Sequence, residues 1–259
     1  MVKKILSILV WVVTAAALIA LFVYAREDYL TSPVKDIKIN IEREGDSGFI
    51  KERFLIADIN KLCGTANIGT INLLTIQRHL NAIPWVERNT SYIDLDRALC
   101  INLKEYTPVL RVFGTGGKSV YLTEDGVCIP TNPLYTPYVL VANGSFTFRH
   151  DSTAYALCDS LVEDQALIET LHLFKAIERN TFMKSCIGQV YRDPKGIFDI
   201  VVKDIDARVI LGDTCQIDDK LHRAEIFIKQ KAGSAEIKEM KNINLNYKNQ
   251  VVCTKRSKS

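Results

Sequence analysis

Hydrophobic positions along the chain first form one long uninterrupted segment, residues 5–24, which carries no charged side chain. Twenty residues of α-helix at 1.5 Å each are roughly 30 Å long, which is the thickness of the hydrocarbon core of a bilayer. Lys3 and Lys4 stand directly before this segment, and basic residues favour the cytoplasmic side of a membrane. The sequence therefore predicts a cytoplasmic tail at residues 1–4, a transmembrane helix at residues 5–25 and an exterior remainder.

A second interpretation of the same segment is a cleaved secretory signal. Val23, Tyr24 and Ala25 resemble a small-residue cleavage site, but the apolar core of a signal is usually only about 7–15 residues long. The length of the segment therefore favours a retained anchor, and both interpretations place the rest of the chain outside the cytoplasm. A short polar tether is predicted at residues 26–33.

The pattern then changes to short alternating and helical stretches. Ile37, Ile39 and Ile41 alternate with polar residues, which is typical of a half-buried strand. Two amphipathic helices and two further strands follow, and Pro84 ends the second helix. The order strand–helix–helix–strand–strand indicates a compact α+β unit at residues 34–107. Its elements are expected at residues 37–41, 50–61, 73–83, 86–92 and 99–103.

Beyond Pro108 short strands dominate, which predicts a strand-rich mixed α/β unit at residues 108–253. The run from Gly114 to Gly117 lies between two strand-like stretches, so it predicts a hairpin turn; a phosphate-binding glycine loop would precede a helix. Asp164 is expected to cap the first helix of this unit. Strands are expected at residues 109–113, 119–122, 138–141, 187–191, 198–202, 208–211 and 243–247, with a helix near residues 167–177 and a last helix that ends near Gly233.

Composition excludes some classes of function. The net charge is only +3, and no basic run with interleaved aromatic residues indicates nucleic-acid binding. The basic tail at residues 254–259 is interpreted as a solvated chain end. The seven cysteines are an odd number without Cys-x-x-Cys spacing. Most of them are expected to be small core residues, and the alternative that six of them pair in an oxidising compartment stays open.

Candidate catalytic and metal-binding residues are few. His150, Asp151 and Ser152 have the residue types of a hydrolase triad, but adjacent positions rarely converge on one substrate atom, and the chain has no Gly-x-Ser-x-Gly elbow. The four histidines show no metal-ligand spacing. Five aspartates lack the spacing of a calcium loop and are expected in turns and at helix starts: Asp204, Asp206, Asp213, Asp218 and Asp219. The sequence therefore predicts neither an enzyme nor a metal or cofactor site.

Two stretches of the first unit resemble a known family. Residues 71–93 contain a helix that ends in Pro-Trp-Val and leads into a strand, and residues 99–113 resemble an exit strand with Glu105 and Pro108 in the expected places. Together with the single anchor before them, they resemble the POTRA domain of the FtsQ/DivIB cell-division proteins. The Trp-Pro pair that is common between the two strands of that family is replaced here by residues 94–97.

Two stretches of the second unit extend the resemblance. Residues 243–256 resemble the C-terminal strand region of Bacteroidota-type FtsQ proteins, and Asp125, Gly126 and Pro130 match part of a further family element. The resemblance thus runs from the anchor to nearly the last residue. It implies a non-catalytic bitopic scaffold of the bacterial divisome that links early and late division proteins and helps regulate septal peptidoglycan synthesis.

The same resemblance implies partners and a location. FtsB and FtsL-like small division proteins are the expected partners, with FtsK and the FtsW–FtsI synthase complex more distantly. The expected location is the inner membrane at the mid-cell septum, with the C-terminal bulk in the periplasm.

Two alternative functions come from other classes of protein. One is a POTRA-containing polypeptide-transport chaperone, which usually carries tandem POTRA units or a barrel; the other is a membrane-tethered hydrolase, which requires a convergent nucleophile and base.

The C-terminal strand region is the expected partner site. If residues 243–247 form the last strand at a sheet edge, their unpaired backbone groups are available to a strand of another chain. Tyr247 is the expected anchor because tyrosine is enriched at binding hot spots; packing of Tyr247 on its own domain is the open alternative. FtsB docks at this region in FtsQ relatives, so the resemblance assigns partner binding to five residues: Leu245, Tyr247, Asn249, Gln250 and Val251.

Overall fold

The computed structural model of the protein describes residues 2–45, 47–64, 66–149, 152–231 and 234–256. The chain divides into two compact units, Met1–Glu105 and Tyr106–Ser259, so the division lies two residues before the boundary expected from the sequence. Three sequence interpretations fall outside the described residues. They are the His150–Asp151 part of the triad-like run, the end of the last helix at Gly233, and the last three residues of the basic tail.

The N-terminal helix α1 spans Val2–Thr31 without a break. Its segment Ile5–Thr31 is long and apolar enough to cross a membrane, and none of its most apolar stretch is buried inside the protein. Residues 26–31 therefore continue the helix, and they are not the polar tether that the sequence predicts. The end of this stretch and the residue after it also pack on the first unit, since the amide of Gly69 donates to the carbonyl of Leu30 (2.8 Å) and the amide of Ile68 donates to the carbonyl of Ser32 (2.9 Å).

The rest of the first unit has the predicted order of strands and helices. Strand β1 runs parallel to β3, and β2 runs antiparallel to β3, so β3 is the central strand of the order β1-β3-β2. Helices α2 and α3 connect β1 to β2 and pack on the sheet. The bounds are β1 Asp36–Glu42, α2 Glu52–Cys63, α3 Leu73–Asn81, β2 Val86–Ile93 and β3 Ala98–Glu105.

The core of this unit is formed by apolar side chains at every second position of β3 and at successive turns of α3. Leu99, Ile101 and Leu103 are buried on one face of β3, as the period of two residues predicts. Leu80 is completely buried on α3, and Ile76 one turn before it is also buried. Single apolar residues at strand and helix periods are thus enough to specify this sheet and its helical layer.

Glu105 is a buried acid with a structural role. Its carboxylate accepts hydrogen bonds from the amides of Phe49 (3.0 Å) and Ile50 (3.1 Å) and lies 3.5 Å from the guanidinium of Arg43. Gly48 leaves room for this arrangement, because a Cβ at that position would lie 2.2 Å from the carboxylate of Glu105. Glu105 therefore fixes the chain that leads into α2.

The second unit is built on a long mixed sheet with helices packed against it. Within the described residues the sheet has the strand order β13-β12-β11-β10-β9-β7-β4-β5-β6-β8. The strands are β4 Pro108–Phe113, β5 Ser119–Thr123, β6 Val127–Pro130, β7 Leu140–Gly144, β8 Tyr155–Ala156, β9 Ile187–Arg192, β10 Phe198–Val202, β11 Arg208–Gly212, β12 Met240–Asn244 and β13 Val252–Lys255. The helices are α4 Val162–Arg179, α5 Thr181–Cys186, α6 Ile217–Lys231 and α7 Ala235–Glu239.

One core holds the sheet and helices of this unit together. The predicted stripe of α4 is buried throughout, and Leu221, Ala224 and Ile228 bury one face of α6 in the same cluster. The glycine-rich run after Phe113 forms a short 3-10 helix at Thr115–Gly117, and β4 pairs antiparallel with β5. The sequence prediction of a hairpin at this point is therefore confirmed.

Three local predictions differ from the structure. Asp164 does not cap α4, because the helix starts after Leu161; its buried carboxylate instead binds the guanidinium of Arg149 (2.8 Å) and the amide of Cys158 (2.9 Å). All seven cysteines lie among the described residues, and only Cys128 is buried. The expectation that most of the cysteines are small core residues is therefore wrong. The strand expected at residues 243–247 ends earlier, at Asn244, and a further strand follows it.

Candidate partner-binding site at the C-terminal hairpin

The C-terminal hairpin consists of β12, β13 and the loop of residues 245–251 that joins them. β12 pairs in parallel with β11 on one side and antiparallel with β13 on the other. Strand β13 is the end strand of the sheet, and among the described residues only β12 pairs with it. The outer backbone edge of β13 is therefore available to another chain.

Three apolar side chains, two on β12 and one directly after it, hold the hairpin on its unit. Met240, Ile243 and Leu245 are buried in the core of the second unit. The amide of Leu245 also donates to the carbonyl of Ile210 on β11 (2.8 Å), which extends the attachment beyond the end of β12. At Asn244 the strand ends, because the side-chain oxygen of this residue accepts the amide of Asn246 (2.9 Å) and turns the chain.

Arg223 on α6 fixes the loop of the hairpin. Its guanidinium donates to three loop carbonyls, those of Leu245 (3.1 Å), Tyr247 (2.8 Å) and Gln250 (2.6 Å). Asp219, one turn earlier on the same helix, accepts from the Nε of Arg223 (2.9 Å) and orients it. One partly buried arginine thus replaces the sheet hydrogen bonds that the loop lacks, and it contacts only main-chain atoms of the loop.

A neighbouring ion pair anchors the start of α6. The ammonium group of Lys220, which is almost completely buried, donates to the carboxylate (2.6 Å) and the carbonyl (2.9 Å) of Asp213. This hydrogen bond and the charge of Lys220 hold the pKa of Asp213 below its usual value. Gly212 directly before it has a positive φ of 81° and approaches Asn246 so closely that a Cβ would lie 2.3 Å from the Asn246 side-chain oxygen.

The structure brings four of the five expected partner-binding residues to the surface or its margin. Tyr247 is 50% exposed, Asn249 and Gln250 are exposed, and Val251 is half-buried against the core. Asn249 has a φ of 57°, which fits a tight turn at the tip of the loop. Leu245 is completely buried, so it supports the loop from inside and offers no side chain to a partner in this conformation.

Two parts of this site were not identified from the sequence. The first is β13, whose four residues are all exposed and therefore lack the alternating pattern that reveals a strand. The β-branched residues of the Val-Val-Cys-Thr run are the one sequence signal for it. The second is Arg223, because no local pattern shows that a helical arginine binds carbonyls 22 to 27 positions later in the chain.

The geometry of the hairpin suits main-chain pairing with an extended segment. Strand β13 is short, carries Lys255 at its end and exposes Val252, Cys253 and Thr254. A partner strand on the outer edge would form backbone hydrogen bonds with β13, and its alternate side chains would contact these residues and the aromatic ring of Tyr247. The site is thus an edge strand next to an exposed aromatic side chain.

Most of the aspartates that were considered for a calcium site form ion pairs with basic side chains. Four of the five aspartates that the sequence singled out pair with basic side chains: Asp206 with Arg256, Asp213 with Lys220, Asp218 with Arg179 and Asp219 with Arg223. Asp204 lies in a loop with a φ of 62°. Within the described residues no group of three or more His, Cys, Asp or Glu side chains is arranged to hold a metal ion.

A comparison with known protein families gives a match to the second unit of the chain. A family model described as "FtsQ/DivIB, C-terminal related" matches residues 107–254, which include all of the C-terminal hairpin except Lys255. A search of curated proteins gives no match to the chain. The family match therefore covers the unit on which the candidate site lies.

Proposed function

Because this chain belongs to the FtsQ/DivIB, C-terminal related family, we propose that it is a non-catalytic bitopic scaffold of the bacterial divisome. The family consists of division proteins without catalytic activity, which indicates a role in cell division. In this proposal the scaffold links early and late division proteins and helps to regulate septal peptidoglycan synthesis. The match over residues 107–254 is the observation that carries it.

The N-terminal unit supports the proposal through its element order and its anchor. The order β1-α2-α3-β2-β3 is the one expected of a POTRA domain, and we propose that residues 34–107 form one. The anchor α1 would hold this domain and the second unit at the outer face of the inner membrane, with the bulk of the chain in the periplasm. A protein held in this way presents both units to partners on the outer side of the membrane.

The partner that we propose for the C-terminal hairpin is an FtsB-like small division protein. The free edge of β13, with Tyr247, Asn249, Gln250 and Val251 beside it, provides main-chain groups and an aromatic anchor. FtsL-like proteins would bind together with FtsB, and FtsK and the FtsW–FtsI synthase complex more distantly. Strand addition gives affinity through backbone bonds, while side-chain contacts provide the choice of partner.

A crosslinked purification from dividing cells tests this proposal. The full chain with an affinity tag should enrich FtsB- and FtsL-like proteins relative to the Tyr247→Ala variant, and mass spectrometry would quantify both. Enrichment of unfolded outer-membrane polypeptides in place of these partners would instead support a transport chaperone. A wild-type sample without any small division protein would contradict the scaffold function.

A further inference from the structure

The turn between β2 and β3 exposes an isolated leucine. Leu95 is 94% exposed at the apex of a turn in which the amide of Asp94 donates to the carbonyl of Ala98 (2.9 Å) and that of Arg97 to Asp94 (3.2 Å). The carboxylate of Asp94 also accepts the amide of Ala98 (2.8 Å). The turn is thus well ordered by its own bonds. Single exposed leucines are common on protein surfaces, so exposure alone assigns no role.

The position of this turn distinguishes Leu95 from other exposed leucines. The hydroxyl of Tyr29 donates to the carbonyl of Asp94 (2.8 Å), and the guanidinium of Arg97 binds the carboxylate of Asp28 (2.9 Å). Both Asp28 and Tyr29 belong to α1, the helix that is apolar enough to cross the membrane. The turn is therefore attached to the last part of the anchor helix.

The distance of the turn from the hydrocarbon core follows from the positions of Asp28 and Tyr29 along α1. The apolar run ends at Tyr24, and the attachment residues follow four and five positions later, which is about 6–8 Å along a helix. The headgroup layer on each side of a bilayer is about 5–8 Å thick. Strand β1 starts next to this turn, since Asp36 pairs with Ala98, so the turn is the end of the sheet nearest the anchor.

Charge pairing at the turn fits this location. The carboxylates of Asp28 and Asp94 are paired with Arg97 and Lys38, the latter at 2.9 Å, so both of these acids are neutralised; Asp36, opposite Ala98, is a further exposed acid beside the turn. Asp96 is the remaining exposed acid of the turn. An apolar apex with largely compensated charges can enter a zwitterionic or anionic headgroup layer at little electrostatic cost.

We propose that the turn at residues 94–97 is a second membrane contact, with the side chain of Leu95 in the boundary between headgroups and acyl chains. The occupant of this surface is bilayer lipid. Together with α1, the contact fixes the orientation of the first unit on the membrane, because one helix alone leaves rotation and tilt open. The inference does not rest on the proposed function; it requires only that α1 is inserted.

Depth-dependent fluorescence quenching tests the contact in the full chain. Leu95→Trp is made in a Trp11→Phe, Trp85→Phe background, in which the phenylalanine at position 85 keeps an aromatic ring on Phe49. The protein is placed in bilayers of phosphatidylethanolamine and phosphatidylglycerol, with or without bromine on the acyl chains. We expect at least about a twofold lower tryptophan emission with brominated lipid, since tryptophan at this position would lie at the membrane interface.

Two matched variants control for insertion and for proximity. A protein that keeps Trp11 as its sole tryptophan should be quenched, which shows that α1 is in the bilayer. Phe54→Trp in the same background lies on α2 at the opposite end of β1, and it should keep its emission. An unquenched tryptophan at position 95 beside a quenched Trp11 would overturn the proposal, as would equal quenching at positions 54 and 95.

Discussion

Arg223 shows how a single residue organises the candidate site. Its contacts to three loop carbonyls use only main-chain atoms of the loop. The exposed side chains of Tyr247, Asn249 and Gln250 take no part in these three contacts and can therefore bind a partner without loss of the loop conformation. Hydrogen bonds of a charged donor contribute at most about 1.5–3 kcal/mol each, and solvent reduces this value for Arg223 because two of its three bonds to the loop are exposed.

The first prediction concerns Tyr247. Its carbonyl is bound by Arg223, while its ring is half exposed, so Tyr247→Ala should leave the unit folded by circular dichroism and melting temperature. We expect the affinity for an FtsB-like peptide to fall at least about tenfold, which is roughly 1.4 kcal/mol. Unchanged affinity in the folded variant would exclude Tyr247 as an anchor, and an unfolded variant would show that its role is packing.

Tyr138→Ala provides the matched control for this variant. Tyr138 is fully exposed in the same unit, two residues before β7, which is the sixth strand of the sheet when β13 is counted as the first. Loss of one tyrosine at that distance should leave the affinity for the peptide unchanged. Equal losses in both variants would indicate a contact that is not centred on the hairpin.

The second prediction concerns the pH dependence of the Asp213–Lys220 pair. Because Lys220 lowers the pKa of Asp213 in the folded state, the pair stabilises the fold above the ordinary aspartate pKa of 3.8. This contribution is lost as the pH falls through the lower, folded-state value. Asp213→Asn should therefore unfold at a lower urea concentration than the wild type at pH 7.

The difference between the two proteins should start to narrow as the pH falls below 3.8, where the carboxylate of the unfolded chain binds a proton, and should be lost below the lower pKa of the folded state. Asp218→Asn is a suitable comparison, since Asp218 pairs with Arg179 at the surface and both side chains are more than half exposed. It should change the urea midpoint much less. A pH-independent difference for Asp213→Asn would show that the effect is not due to this ionisation.

At the scale of elements, the sequence predicts those parts of the fold that alternate or repeat in burial. The strip Leu99, Ile101 and Leu103 predicts β3, and the helical stripe that ends in Ile177 predicts α4; both are buried as expected. These predictions succeed because one buried face imposes its period on the sequence. The polar stretch at residues 26–31 gives no such signal, and there the structure continues α1.

The C-terminal hairpin could be predicted only in part for the same reason. Its core residues Ile243 and Leu245 are visible in the sequence, but β13 is exposed at every position. That strand is stabilised by backbone pairing with β12, which leaves no mark on the hydrophobic pattern. The residues that are expected to bind a partner thus lie in the loop before the edge strand, whereas the sequence interpretation placed Leu245 and Tyr247 on a strand.

The third prediction tests the helical stripe of the first unit. Leu80 is completely buried on α3, so Leu80→Asp would place an unpaired carboxylate in the core and should destabilise the unit by about 4 kcal/mol or more. Thermal unfolding of residues 26–106, which we expect to fold by themselves, would measure this loss. Leu74→Asp on the same helix is the control, because that side chain is 62% exposed, and its melting temperature should stay near the wild-type value.

At the scale of the whole molecule, the chain combines one helix that is apolar enough to cross a membrane with two compact units. The family match and the free edge strand β13 lie in the second unit, and the apolar helix α1 lies in the first. This division of roles fits a scaffold, in which one part sets the position at the envelope and another selects partners. No chemistry is required of either part in this account.

The fourth prediction concerns the topology of the anchor. Because Lys3 and Lys4 precede the apolar run, the N-terminus should lie in the cytoplasm and the two units outside it. A reporter that is active only outside the cytoplasm should work when it is fused after Ser259. Activity only in an N-terminal fusion would reverse the orientation, and a mature protein that starts at Arg26 would show that the anchor is cleaved.

The position of the protein in dividing cells tests the central claim most directly. A fluorescent protein fused before Met1 on the cytoplasmic side leaves both exterior units and the C-terminal hairpin unmodified. The account predicts that the full chain concentrates at the mid-cell septum in cells that are constricting. A uniform distribution around the envelope at every stage of the cell cycle would contradict a role as a division scaffold.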